Sequence, residues 1–224
     1  MTAPEVIAGP LVLLRGRVAD GLTGEGLAQA GLWAEVRQGG DWFALPFALR
    51  GQGGGWFAAS ARLTDIAARL RLGVATEFRL RAASAGHVTA EATVALTAAQ
   101  FSRVTATQTI RGVAVAVSRL AGAPVILDIA LQPRPVMLAG LVIDNHDPAS
   151  PMAGVSIAIA GSAATATSDA RGRFRIDAPP LARSWDVTAT LGSRTAQALH
   201  VTDFALPVNF ITLSLPAVPP APTP

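Results

Sequence analysis

The chain has 224 residues, half of them apolar and only 15% charged, against about 25% charged in an average globular protein; a surface this sparsely charged is easily buried against neighbours, which favours an assembly component. All 18 basic residues are arginine, so the sequence pI of 11.1 reflects a formal charge of only +3 with nothing to buffer between His and Arg, and no field suited to nucleic acid is implied. The absence of Cys excludes disulfides, thiolate zinc sites and cysteine nucleophiles, and the absence of Lys excludes Schiff-base chemistry and Lys-dependent phosphate loops.

Residues 1–9 read as an extended lead-in with no basic region or cleavage site of a secretory signal. Cytoplasmic synthesis without a signal peptide is therefore expected, with a released or cell-surface particle as one final location. No uninterrupted apolar run reaches the ~18 residues of a membrane span. Leu11 to Ala19 has strand character and ends in the turn-rich Asp20 to Gly26. Gly31 to Gln38 and Trp42 to Leu49 read as strands around Gly39-Gly40-Asp41. Gly51 to Gly55 reads as a hairpin tip from which Trp56 to Ala61 returns. Leu63, Ile66, Ala67 and Leu70 then fall at i, i+3, i+4 and i+7, predicting a short helix stopped at Gly73. Glu77 to Ala83 and Val88 to Leu96 read as strands, and Thr97 to Gln100 as a capping box. Val104 to Ser118 reads as a β insertion, and Pro124 to Leu131 closes a first domain spanning residues 10–133.

Gln132-Pro133-Arg134-Pro135 reads as a stiff linker, since each proline fixes itself and restricts the residue before it. A second domain follows over residues 134–216. Its Thr165 to Phe174 segment reads as a hairpin around an Asp169-x-x-Gly172 turn, and Trp185 to Leu191, Ala196 to Val201 and Asn209 to Leu215 complete it. Residues 217–224 form a Pro/Ala-rich tail.

The two domains repeat one another. Gly16-Arg17-Val18-Ala19-Asp20 is echoed by Gly140-Leu141-Val142-Ile143-Asp144, the Ala-Gly entry at Ala30-Gly31 by Ala153-Gly154, and Gly55-Trp56-Phe57 by Gly172-Arg173-Phe174. The helix has no counterpart in the second copy. It is an insertion in the first.

These residues resemble the carboxypeptidase regulatory-like, transthyretin-like (prealbumin-type) β-sandwich family. The second copy carries the pattern at Gly140, Val142, Asp144, Pro151, Gly154, Thr167, Asp169, Gly172 and Phe174; the first lacks the Asp of the Asp-x-x-Gly turn. The resemblance implies an all-β chain of two tandem transthyretin-like Greek-key β-sandwiches, the first with a short helical insertion. It further implies an accessory module for positioning or docking, of a kind found in adhesins and in phage-tail-like contractile injection systems. Enzymes on similar sandwiches need ligands or bases absent here, such as the Tyr of an iron dioxygenase, and Lys-dependent isopeptide bonds cannot form.

No catalytic or cofactor-binding residues are expected, and no cofactor. His87, His146 and His200 are far apart in sequence, and no Gly-x-Ser-x-Gly elbow occurs. The calcium candidate is Asp144, Asn145 and Asp147, three oxygen-bearing side chains in four residues, set against a turn in which Asp and Asn bond their own backbone. Candidate ligand or partner contacts are Trp42 and Trp56, aromatic platforms flanking the Gly-rich tip, and Arg171 and Arg173, which with Arg175 form a basic stripe on one strand face. The expected role is non-catalytic: a spacer, cap or accessory subunit with protein partners in an assembly or a homo-oligomer. Neither nucleic acid nor a membrane span is expected. The alternative is a carbohydrate-binding or adhesion module with a glycan partner.

Overall fold

The computed structural model describes residues 5–7, 11–44, 48–51, 53–61, 75–97, 100 and 102–216, and they are almost wholly β. The helix expected over residues 63–70 and the tail from residue 217 lie outside the described residues. The chain divides into two compact units, the first of Met1–Ser84 and Val88–Gln132, the second of Ala85–His87 and Pro133–Pro224.

In the second unit, β13 (Met137–Asp144) lies between β16 (Arg173–Ile176), antiparallel, and β19 (Val208–Leu215), parallel. The other sheet runs β15 (Thr165–Thr167), β14 (Ser156–Ile159), β17 (Ser184–Leu191) and β18 (Arg194–Val201). In β19 every second residue from Asn209 points inward, as the two-residue strand period requires. Inward residues of both sheets pool into one core with Leu138, Val142, Ile157, Phe174, Trp185 and Leu213, so the unit is a sandwich. Trp185 is 1% exposed and its indole N–H donates to Pro180 O at 2.8 Å, satisfying the one polar atom it buries.

The first unit repeats this plan. Its strands are β1 (Glu5–Ile7), β2 (Leu11–Asp20), β3 (Gly31–Gln38), β4 (Asp41–Ala44), β5 (Ala48–Gly51), β6 (Trp56–Ala61), β7 (Thr76–Ala83), β8 (Ala90–Leu96), β9 (Ser102–Ile110), β10 (Val113–Ala121), β11 (Val125–Ile126) and β12 (Ile129–Leu131). β2 takes the place of β13, pairing β6 antiparallel and the short β11 and β12 parallel, while β4-β3-β7-β8 matches β15-β14-β17-β18. The register of β2 shifts between Val12 and Leu14, a bulge that lets Leu13 and Leu14 both be buried.

The repeated motif is explained by packing. Gly140 pairs with Phe174, and a Cβ there would lie 2.5 Å from the Phe174 ring and collide with Ile211 O. Gly16 pairs with Phe57, and a Cβ there would lie 2.9 Å from Phe57 Cζ and collide with Leu127 O. In each copy only glycine lets the ring cross the first strand beside the last one. Gly55 and Gly172 both adopt positive φ (76° and 70°), which admits an L side chain only with strain.

Two sequence expectations need correction, and a third gains detail. Trp42 to Leu49 is not one strand, because β4 and β5 belong to different sheets. Thr165 to Phe174 is not a hairpin either: β15 pairs β14, β16 pairs β13, and the chain crosses between sheets at Asp169 to Gly172. Alternation is identical for a hairpin and for such an arch, so the pattern alone does not name the sheet. The β insertion is a hairpin of β9 and β10, turned at Arg111 and Gly112, both at positive φ as a tight two-residue turn requires, with β1 added in parallel along β10.

Candidate functional site

The Asp144 segment builds a turn. Asp144 Oδ1 accepts from His146 N at 2.8 Å and Oδ2 from Arg194 Nη2 at 2.8 Å. The His146 amide first, then Arg194, hold this carboxyl below its usual range. Asp147 accepts from Ala149 N at 3.1 Å and from Ser150 Oγ at 2.8 Å, while Asn145 Oδ1 faces Ser214 Oγ at 3.4 Å. The oxygens proposed for calcium are thus taken up by the protein itself. Among the described residues no group of three or more His, Asp or Glu side chains could hold a metal.

The histidines stand on separate elements. His87 Nδ1 lies 2.9 Å from Ala85 O, and His146 sits exposed in the turn after β13. His200 stacks on Trp185 and meets Asn209 Oδ1 at 3.2 Å. Buried Asn209 in turn accepts from Asp203 N and donates to Asp203 O, which fastens the loop before β19. His200 is thereby a packing residue.

The aromatic candidates diverge. Trp42 is half-buried beneath the Arg79 guanidinium, 4.4 Å from its ring centre. Arg79 also meets Glu35 at 2.6 Å and Glu91 at 3.4 Å, and Arg37 meets Glu77 at 2.7 Å. The outer face of β4-β3-β7-β8 is therefore a web of cross-strand ion pairs. Trp56, 52% exposed, stands on the outer face of the other sheet. Trp33, Ile126 and Phe210, which the sequence reading did not select as contacts, are also exposed. The signal was parity: each is flanked in the chain by residues packed on a core, Leu32, Val125 and Leu127, and Ile211.

Arg171 and Arg173 come together on the corresponding face of the second unit. Cross-strand registers lay out rows there: Arg175, Ala139 and Phe210, then Arg173, Leu141 and Thr212. Between the arginines and Phe210 runs a groove of about 600 Å³ with a floor that includes Leu141, Ile143 and Pro148. Asp169 Oδ1 accepts from Arg171 N and Arg173 N, both at 2.8 Å, and these amides, Arg173 first, hold its carboxyl below the usual range. The turn thereby fixes the backbone that presents both side chains. Arg175 pairs with Asp177. Among the described residues, the guanidinium groups of Arg171 and Arg173 have no hydrogen-bond or ion-pair partner.

The first unit carries a groove of about 690 Å³ at the equivalent place, lined by Val12, Arg15, Trp56, Pro124, Ile126 and Asp128. Its rows are Ala58, Arg15 and Ile126, then Trp56 beside Arg17. Arg17 Nε donates to Gly54 O at 3.0 Å, with its guanidinium 5.8 Å from the Trp56 ring centre. Trp56 occupies the place of Arg173, and Ile126 that of Phe210.

No helix among the described residues is long and apolar enough to cross a membrane. No family model matches the sequence, and no curated protein matches it. Among solved structures the chain is similar to the Bacillus anthracis TIE protein at 9% identity and a TM-score of 0.36, over 93% of this chain and 34% of that one. It is similar to a Streptococcal ancillary pilin at 13% identity and a TM-score of 0.34, over 90% and 61%. It is also similar to the shaft pilin SpaA of Lactobacillus rhamnosus GG at 11% identity and a TM-score of 0.33, over 94% and 98%. The chain spans about a third of the first of these and under two thirds of the second. Likeness at this level assigns no family.

Proposed function

We propose that the chain is a non-catalytic structural module of two tandem sandwiches of the carboxypeptidase regulatory-like kind, divided at residues 133–134. It docks onto protein partners through the outer faces of the sheets built on β2 and β13. The observation that carries this reading is the duplicated open groove: the same face in each repeat presents an exposed hydrophobic side chain, Ile126 in one and Phe210 in the other. Polar side chains elsewhere are tied into turns and ion pairs, which supports contact rather than turnover. An accessory role in a contractile injection system or a surface particle belongs to this proposal through the resemblance alone.

The test is cross-linking of the purified chain with extract of its source cells, followed by sizing and mapping of the linked residues. A stoichiometric complex or homo-oligomer linked at these two faces is expected. A monomer that retains no partner would contradict the reading.

A second reading is favoured by Trp56, whose exposed ring beside Ile126 offers a platform for a sugar. It predicts glycan-array binding abolished by Trp56→Ala, and array silence removes it.

A further inference from the structure

The groove of the second unit has a chemistry of its own, and the argument for its occupant rests on the docking reading above. One wall is cationic. Arg171 and Arg173 project from the Asp169 turn and the start of β16; Asp169, bonded to their amides, is the nearby carboxylate, no ion pair closes on either guanidinium among the described residues, and no carboxylate lines the groove. Several other arginines among the described residues are engaged: Arg79 and Arg81 face Glu91, Arg194 holds Asp144, and Arg17 is bonded to Gly54 O. The opposite wall and floor are apolar, with Leu141 and Ile143 along β13 and Phe210, 63% exposed, on β19. A charged wall running parallel to an apolar one along the same strands selects an extended ligand.

We infer that this groove binds an extended, acidic segment of a protein partner in which carboxylates alternate with apolar side chains. In an extended chain successive residues point to opposite sides, and those on one side recur every ~6.6 Å. On β16 the outward Arg173 and Arg175 have that spacing, and Arg171 extends the cationic wall from the turn before them. Carboxylates on one side would meet Arg173 and Arg171 in charge-assisted pairs, with bidentate geometry open to each guanidinium. Apolar side chains on the other side would rest on Leu141, Ile143 and Phe210. The segment lies across the sheet face and does not lengthen the sheet. The open side of β16 is already capped at Arg173, whose N–H donates to Asp169 Oδ1 and whose C=O accepts from Asp169 N.

The equivalent groove of the first unit is not selected. It contains Asp128, and its apolar Trp56 stands where Arg173 would be needed. An anionic glycan would use the same arginines but leave the apolar wall uncovered, which is why the peptide is the occupant argued for.

The test is fluorescence anisotropy of the full chain with a labelled peptide, Gly-Ser-Glu-Val-Glu-Phe-Glu-Ser-Gly, against the same peptide with Lys for Glu. Saturable binding of the Glu peptide alone is expected, weakened at least about tenfold by Arg171→Ser with Arg173→Ser and more modestly by Phe210→Ser. Both arginines are exposed, so the variants retain the fold, which circular dichroism verifies. Arg171→Glu with Arg173→Glu should transfer preference to the Lys peptide. The inference is overturned by absence of saturable binding, by binding unchanged in the double variant, or by a heparin fragment binding where the Glu peptide does not. Those results leave the docking reading standing if cross-links still map to the two faces, so the two failures are distinguishable.

Discussion

The outer faces of the two repeats show how a duplicated sandwich keeps its interior and redistributes its exterior. Inside, both copies place Gly beside Phe, Val inward and Asp at the strand end, because one steric solution serves both. Outside, the arrangement is inverted. In the first unit arginines stand on the central strand at Arg15 and Arg17 with Trp56 on the neighbouring strand; in the second, Ala139 and Leu141 take the central strand while Arg173 and Arg175 take the neighbour. Inward positions are constrained by a core that leaves no spare volume, whereas outward ones change at little cost in stability. The second face emerges with a cationic wall, Arg171 and Arg173, free of ion pairs among the described residues, the first with an exposed Trp beside its own Arg17.

The sharpest way to break this comparison is through the shared interior. Trp185→Ala should cost about 3–5 kcal/mol, read from urea unfolding monitored by circular dichroism; a cost under about 1 kcal/mol would mean the ring is not the centre of the second core. Gly16→Ala and Gly140→Ala should each cost about 1–3 kcal/mol, since either Cβ overpacks a Phe ring and a strand carbonyl. Similar costs support equivalence of the two positions, and a cost in only one copy would deny it. Outside, Trp56→Ala should change stability by no more than about 0.5 kcal/mol.

The Asp169 turn gives a pH signature. Its folded pKa is lowered, so its stabilisation is present above the ordinary 3.8 and is lost as pH falls through the folded value. The melting temperature of the parent protein should therefore exceed that of Asp169→Asn at neutral pH. The gap should close as pH falls below about 4. A gap independent of pH would sink this account of the turn.

Much of this was legible in the sequence. The repeat, its glycines and most strand limits follow from steric demands that leave fixed residue types at fixed places. Side-chain parity carried more than was taken from it: Trp185 shares the inward parity of Val187 and Ala189, while Trp56 opposes Phe57 and Ala59. What stayed hidden were relations between distant strands. That β16 leaves β15 to join β13, and that Phe210 lies across β13 from Arg175, depend on pairings made over 30 residues or more. The partner of Asp144 was hidden for a related reason, since it is Arg194, 50 residues away.

The central claim is that the second repeat, unlike the first, presents an open cationic wall. Arginine-directed labelling with phenylglyoxal, read residue by residue by mass spectrometry, tests it most directly. Arg171 and Arg173 should react well ahead of the paired Arg79 and Arg194 and of Arg17 against Trp56. Equal or slower modification of Arg171 and Arg173 would contradict it.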